Sequence, residues 1–174
     1  MSKAIYPGSF DPPTLGHLDI IYRASRIFGS LVIGVVENPA KNALFSLEER
    51  VSLIKKEVKS LKNVSVCSFN GLLVDFVRKK GCNVVIRGLR FVSDFEAEFQ
   101  MTLMNKKLYP QLETVFIFTD EKYSYISSSL VKEVASFGGN IDEFVSKNVK
   151  NALAKKRRLL IGERRDGSLG RYTE

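Results

Sequence analysis

Short apolar runs alternate with longer amphipathic segments, and this alternation constrains the fold more than any other feature of the sequence. The runs are rich in the β-branched and aromatic residues that strands favour, whereas the segments between them carry apolar residues at helical spacing. Strands are predicted at residues 4–6, 31–36, 64–69, 84–86 and 115–118. Helices are predicted at residues 16–28, 47–61, 72–79, 92–108, 128–137 and 141–154.

This order of elements predicts a topology. Strands separated by helices are joined by right-handed crossovers, which give a mostly parallel sheet covered on both faces. We therefore expect an α/β protein with a single Rossmann-like domain over residues 1–154, built on a doubly wound parallel sheet of about five strands with helices on both faces. Ligands of such sheets bind at the carboxyl ends of the strands, so the loops that follow strands are the first places to look for chemistry.

The second predicted helix carries a helix-start signature. Ser46 is followed three residues later by Glu49, the pattern of a capping box, in which each side chain accepts a hydrogen bond from the backbone amide of the other residue. Phe45, directly before the cap, is expected to provide a hydrophobic staple. The helix is therefore predicted to begin at Leu47.

The charge of the chain is unevenly distributed. The net charge is +8, and half of this excess lies in a basic C-terminal extension, residues 155–174. The composition of the extension favours a flexible end, and a short added helix at residues 155–161 is the alternative. Residues 1–154 are only mildly basic, which suits a small anionic ligand better than a duplex, because nucleic-acid binders concentrate Lys and Arg on one face.

The first residues and the cysteines bear on the compartment. Residues 1–10 lack the apolar run of a signal peptide, and no stretch approaches the roughly 18 apolar residues of a membrane span. Cys67 and Cys82 are too few for a disulfide framework and are expected to be reduced. These features predict a cytoplasmic protein that does not enter a membrane.

The loop after the first predicted strand, YPGSFDPPTLGH at residues 6–17, is the strongest candidate for a binding site. Gly8 and Gly16 leave room for a backbone to approach a ligand. Thr14 or Gly16 stands near the start of the following helix, whose unpaired amides can bind phosphate groups. His17, the single histidine of the chain, is expected to donate an N–H to the same place.

Two separated motifs resemble the signature of the nucleotidyltransferase superfamily. Thr14, Gly16 and His17 match its T/HxGH element, and YISSSLVK at residues 125–132 is similar to the ISSxxxR/K element that faces it. The loop is not a Walker loop, because it lacks the GK[ST] ending. The chain most closely resembles the bacterial phosphopantetheine adenylyltransferase family, through residues 6–17, 37–50, 85–105 and 123–135. This resemblance extends over residues 3–154.

The resemblance implies a reaction and a set of site residues. A phosphate of 4′-phosphopantetheine attacks the α-phosphorus of ATP in line, which gives dephospho-coenzyme A and pyrophosphate with no covalent enzyme intermediate. The implied catalytic residues are His17, Lys41, Arg90 and Ser128. The implied 4′-phosphopantetheine-binding residues are Ser9, Lys41, Leu73 and Arg87. The implied ATP-binding residues are Ser9, Phe10, His17, Gly88, Leu89, Arg90, Glu98, Tyr123, Ser124, Tyr125, Ile126, Ser127, Ser128 and Ser129.

The residue types suit this reaction. A phosphate monoester has a second pKa near 6, so the nucleophile is mostly a dianion at neutral pH and needs no general base. The protein must supply position and positive charge, and Arg87, at a predicted strand end, can hold a phosphate through two parallel hydrogen bonds. Asp94 and Glu96 are expected on a solvated helix face. Mg²⁺ is expected as a cofactor that enters through the ATP phosphates, without a metal site in the protein.

The family resemblance also implies a homohexamer and coenzyme A as a feedback ligand. Two alternative functions stay open at this stage. A nicotinamide mononucleotide adenylyltransferase shares both motifs, although the loop of Lys41 and the segment of residues 87–90 favour the pantetheine acceptor. A basic RNA-binding module would use residues 155–158, but the chain lacks the RNP aromatics and the GXXG loop of such modules.

Overall fold

The computed structural model describes residues 2–37 and 42–166, with side chains through residue 158. Its sheet has five parallel strands in the order β3-β2-β1-β4-β5. The strands are β1 (Lys3–Gly8), β2 (Ser30–Val36), β3 (Val64–Phe69), β4 (Val84–Leu89) and β5 (Glu113–Phe118). The predicted parallel sheet of about five strands is therefore confirmed.

The described residues form six α-helices: α1 (Leu15–Ile27), α2 (Leu47–Glu57), α3 (Leu73–Lys79), α4 (Val92–Leu108), α5 (Ser128–Ser136) and α6 (Lys147–Asp166). A 3-10 helix at Glu121–Tyr123 was not predicted. The capping box between Ser46 and Glu49 is present at the start of α2, as the sequence predicted.

The last helix differs from the prediction at both ends. Residues 141–146 form turns, in which buried Ile141 and Val145 reproduce an apolar spacing that resembles a helix. At the other end, α6 continues through the predicted boundary at residues 154 and 155, and Lys156 pairs with Glu49 at 2.8 Å. Residues 155–166 therefore continue α6, which includes the short helix that the sequence allowed at residues 155–161, and residues 167–174 lie outside the described residues.

Buried apolar side chains lie on both faces of the sheet. Alternate residues of β1 point in opposite directions, so Ala4 and Tyr6 pack with α1 and α2 on one face, whereas Ile5 packs with α3 on the other. A third apolar cluster joins Phe45 to α5 and α6 beside the sheet. Among the described residues, no helix combines the length and the apolar character needed to cross a bilayer.

Candidate active site

A cavity of about 510 Å³ opens where the strand order reverses. β1 and β4 are neighbours in the sheet, yet their crossovers run to opposite sides, and doubly wound sheets bind ligands at this switch point. Both loops that follow these strands contribute to the cavity, as do the second motif and the start of α4. The sheet topology therefore brings together segments that are far apart in the sequence.

The cavity collects most of the side chains that were predicted to bind ATP. The predicted residues that line it are Ser9, Phe10, His17, Gly88, Arg90, Glu98, Tyr123, Ile126, Ser127, Ser128 and Ser129. Leu73, Arg87, Leu89, Ser124 and Tyr125 do not line it. Leu89 is fully buried in the core, and Tyr125 packs edge-on against Phe144. Lys41 lies outside the described residues.

His17 is held by the N-cap of its own helix. Thr14 caps α1, and the backbone amide of Thr14 donates to His17 Nδ1 at 3.0 Å. Because this bond needs a free electron pair on Nδ1, the neutral imidazole carries its proton on Nε2. His17 also lines the cavity, so the ring is fixed as a neutral N–H donor at the wall of the site.

The surroundings of His17 keep it neutral. Burial, and to a lesser degree the nearby positive charge of Arg90, lower the pKa of His17 from 6.5 to about 4. Burial acts in this way because a charged imidazolium loses water solvation. At neutral pH His17 can therefore donate a hydrogen bond but carries no positive charge of its own.

Phe10 adopts a backbone conformation that is unusual for a bulky residue. Its φ angle is +49°, in the left-handed region, and its ring is almost completely buried. The ring packs edge-on against His17, with 5.1 Å between ring centroids. A Cβ atom on Gly8 would lie 2.8 Å from this ring, so Gly8 is needed for the close approach.

The N-terminus of α1 offers fewer free amides than the sequence suggested. The amide of Leu15 donates to the carbonyl of Phe144, and that of His17 donates to the Thr14 hydroxyl. The expected set of unpaired amides is wrong for these two residues. The Gly16 amide and His17 Nε2 remain as the candidate donors to an anion at this helix end.

The second motif is tied to the first by side-chain hydrogen bonds. Ser127 caps α5 by accepting from the amide of Leu130, and the Ser128 hydroxyl donates to the carbonyl of Pro12 at 2.8 Å. Arg90 reaches the same region, with Nη1 3.5 Å from the carbonyl of Ile126. The two motifs therefore form one connected wall around the cavity.

Two arginines beside α4 are paired with carboxylates. Arg87 donates through Nε and Nη2 to both carboxylate oxygens of Glu98, at 2.5 and 2.6 Å. Arg90 forms a similar pair with Asp94 at 3.1 Å. The predicted phosphate-binding fork of Arg87 is thus engaged by another predicted site residue.

Asp94 corrects one expectation from the sequence. It was predicted on a solvated face, but it lines the cavity and also accepts from the Arg90 amide at the start of α4. Burial alone would raise the pKa of Asp94, but its hydrogen bonds and the Arg90 charge offset this and hold the pKa below its usual value. Glu96 is exposed, as predicted.

Two charged residues of the cavity wall, Asp11 and Arg50, were not singled out from the sequence, whereas Lys132 is the basic residue of the second motif. Asp11 is buried and accepts from the amides of Leu44 and Phe45, and its Oδ2 lies 2.9 Å from Lys132 Nζ. Arg50 is also buried. The sequence did contain a sign of an unusual role for Arg50. It occupies the fourth position of α2, where an apolar residue would be expected to complete a hydrophobic staple with Phe45.

Comparisons with known proteins identify the family and the fold of the chain. The sequence profile of the family described as Cytidylyltransferase-like matches residues 5–134. The fold and the site therefore define a cytidylyltransferase-like protein. A solved structure of a putative nicotinate-nucleotide adenylyltransferase from Vibrio parahaemolyticus has the same fold, with a TM-score of 0.67 and 18% identity over 91% of this chain and 96% of that one.

Curated relatives narrow this class. A phosphopantetheine adenylyltransferase of Heliobacterium modesticaldum is 54% identical over 156 residues, which is 90% of this chain and 93% of the relative. Another, from Alkaliphilus metalliredigens, is 55% identical over 156 residues, which is 90% of this chain and 99% of that relative. The chain belongs to the phosphopantetheine adenylyltransferase family, which confirms the resemblance seen in its motifs.

Proposed function

We propose that this protein transfers the adenylyl group of ATP to 4′-phosphopantetheine and releases pyrophosphate, a step of coenzyme A biosynthesis. The observation that carries the proposal is the neutral His17, whose Nε2–H is fixed at the wall of a cavity shared by both nucleotidyltransferase motifs. The identity to curated phosphopantetheine adenylyltransferases supports the choice of acceptor.

In this proposal the reaction is an in-line attack at the α-phosphorus. The acceptor dianion needs no base, so the protein must align two anions and offset the charge that builds up in the transition state. His17 Nε2 and Arg90 donate to the reacting phosphates, and the amides at the start of α5 add a helix N-terminus beside them. Lys41 and Arg87 are assigned to the acceptor phosphate.

Mg²⁺ is assigned to the nucleotide. Mg²⁺ prefers phosphate oxygens and keeps several waters, so it would enter with the ATP phosphates. Within the described part of the chain, no three His, Cys, Asp or Glu side chains lie together as a metal-binding group would. When bound, the ion would neutralise part of the phosphate charge.

A pyrophosphate-release assay tests the function. Purified protein is incubated with ATP and Mg²⁺ and with one acceptor at a time: 4′-phosphopantetheine, nicotinamide mononucleotide, or pantetheine without its phosphate. We expect release with 4′-phosphopantetheine only. Faster release with the mononucleotide would replace the proposed acceptor, and release with pantetheine would contradict attack by a phosphate.

Self-association into a homohexamer is also proposed, and helix α4 supports it. None of its residues is buried, although Met101, Leu103 and Met104 are each more than half exposed. Exposed apolar surface of this kind is typical of an interface. Sedimentation should give a molecular mass of six chains for the wild type, and the double variant M101K/M104K should sediment as smaller species. F137K, at an 83% exposed apolar site outside α4, is the control.

Coenzyme A is proposed as a feedback ligand of the same cavity. It contains the pantetheine arm and the adenine nucleotide of the proposed product, so it should compete with both substrates, which inhibition kinetics at varied ATP and acceptor would test. A cytoplasmic location is proposed as well, and the free thiols of Cys67 and Cys82 agree with a reducing compartment.

A further inference from the structure

Arg50 is a buried cation in the wall of the cavity. It lies in the first turns of α2 and is 5% exposed. Burying a guanidinium is costly unless its donors are satisfied, and an apolar side chain would serve the staple position of the helix better. The charge at this position therefore requires an explanation.

The guanidinium of Arg50 joins three separate segments through their backbone carbonyls. Its Nη1 donates to Ser9 at 2.8 Å and to Val36 at 2.9 Å, and its Nε donates to Phe45 at 3.2 Å. These residues follow β1, end β2 and precede α2, respectively. Only a planar group with several fixed donors can reach all three at once.

The bonds of Arg50 are to neutral groups. Within the described residues, no carboxylate oxygen lies within 4.0 Å of its guanidinium. Asp11 bonds to the same residue before α2 as Arg50 does: its carboxylate accepts from the amide of Phe45, while Arg50 donates to the carbonyl of Phe45. Two side chains of opposite charge thus fix the backbone of Phe45, Asp11 through its N–H and Arg50 through its carbonyl.

The segments held by Arg50 include parts of the cavity wall. Ser9 lines the cavity, and so do Val36 and the residues Asn42 and Ala43, which lead to Phe45. We propose that Arg50 is a positioning residue, which fixes the Ser9 backbone against the ends of β2 and α2 so that the Ser9 side chain meets the reacting phosphates in the right place. This inference rests on the proposed function.

A double-mutant cycle tests the inference, with pyrophosphate release as the readout. R50K keeps the charge but loses the planar fork, and S9A removes the side chain that Arg50 is proposed to position. We expect R50K to lower kcat/KM roughly 10- to 100-fold, the usual result of misplacing a reacting group. In the S9A background R50K should cost no more than about threefold, because residues that act through each other are not additive.

Additive losses would make Arg50 a structural residue and overturn the inference, as would full activity of R50K or of S9A. R78K is the matched control, because Arg78 also donates to a carbonyl, that of Leu108, and does not line the cavity. If both R50K and R50Q are unfolded at assay temperature by circular dichroism, Arg50 is structural and the inference fails. Failure of the proposed function is separate, since wild-type protein would then release no pyrophosphate.

Discussion

The cavity has two walls that differ in how their polar groups are held. The first-motif wall, residues 9–17, is fixed largely by bonds to the backbone: the Thr14 amide holds His17, and the amides of Leu44 and Phe45 hold Asp11. The α4 wall, made of Arg90, Asp94 and Glu98, is held mainly by pairs between long side chains: Arg90 pairs with Asp94, and Glu98 pairs with Arg87, which does not itself line the cavity.

This difference separates two tasks. Groups bonded to the backbone need no rearrangement when charge develops on a substrate, which is the condition for electrostatic stabilisation of a transition state. Pairs of partly exposed side chains can exchange one partner for another at small cost. We therefore expect changes in the first-motif wall to affect turnover or stability, and changes in the Arg87–Glu98 pair of the α4 wall to affect binding.

The largest expected effect is that of H17A on turnover. Loss of a fixed donor in a preorganised site typically costs about 3 to 4 kcal/mol of barrier, or 10²–10³ in rate. We expect kcat for pyrophosphate release to fall by at least this factor, with a smaller change in ATP affinity. H17Q, which restores an N–H at about the same reach, should recover part of the loss. Normal turnover by H17A would remove His17 from the mechanism.

The ionisation of His17 gives a second test of the first-motif wall. Since the chain has one histidine, ¹⁵N-histidine labelling gives the NMR titration of this ring alone. We expect a pKa of about 4 and a proton on Nε2 throughout the neutral range. A pKa near 6.5 would contradict the buried, neutral donor.

The lowered pKa of His17 also determines whether its contribution to the free energy of unfolding rises or falls with pH. An unfolded histidine has a pKa near 6.5, so the unfolded state takes up the proton first as the pH falls. The contribution of His17 to the free energy of unfolding is therefore complete above about pH 6.5 and is lost as the pH falls towards 4. Between about pH 6.5 and 4, the free energy of unfolding measured with denaturant should therefore fall more steeply for the wild type than for H17Q, which has no group that titrates there.

D11N should have a moderate effect, on stability. The Asp11 carboxylate accepts from two backbone amides and from Lys132, and an amide side chain can satisfy only part of this set. We expect a loss of about 1 to 3 kcal/mol in the free energy of unfolding at pH 7, measured by urea denaturation. D75N, at an exposed pair on α3, is the control and should lose much less.

The effect of D11N should shrink in acid. Burial would raise the pKa of Asp11, but the bonds from Lys132, Leu44 and Phe45 hold it below the usual value. A carboxylate of this kind stabilises the fold above the unfolded pKa, near 3.9, and loses that contribution as the pH falls through the lower folded value. A difference between wild type and D11N that is constant down to pH 2 would contradict the ionised pair.

Most of the fold could be predicted from the sequence because each element has a local cause. β4 shows the limit of this reasoning: it was predicted to end at Ile86 but continues to Leu89. Arg87 and Gly88 interrupt the apolar run, yet they pair in register with Phe116 and Ile117 of β5. Backbone pairing between strands depends on the partner strand, which local patterns do not report.

The site was predicted less completely than the fold. The motifs indicated His17 and Ser127–Ser129, but Asp11 and Arg50 were missed, because most of their partners lie far away in the sequence, as the Phe45 amide does for Asp11 and the Ser9 carbonyl does for Arg50. The Arg87–Glu98 pair was missed for a different reason. Each residue was assigned to a ligand, and only the structure shows that they bind each other.

E98Q in the α4 wall has the smallest expected effect. It is also the most direct test of the difference between the first-motif wall and the α4 wall. Because Glu98 engages two N–H groups of Arg87, an acceptor phosphate must compete with it, and a neutral glutamine would compete less well. We expect the KM for 4′-phosphopantetheine to fall by up to about fivefold, the range of a partly exposed pair, with kcat nearly unchanged. E96Q, on the exposed face of the same helix, should change neither value. A higher KM for ATP in E98Q would instead place Glu98 on the nucleotide, and a large loss of kcat would mean that the α4 wall is as preorganised as the wall that holds His17.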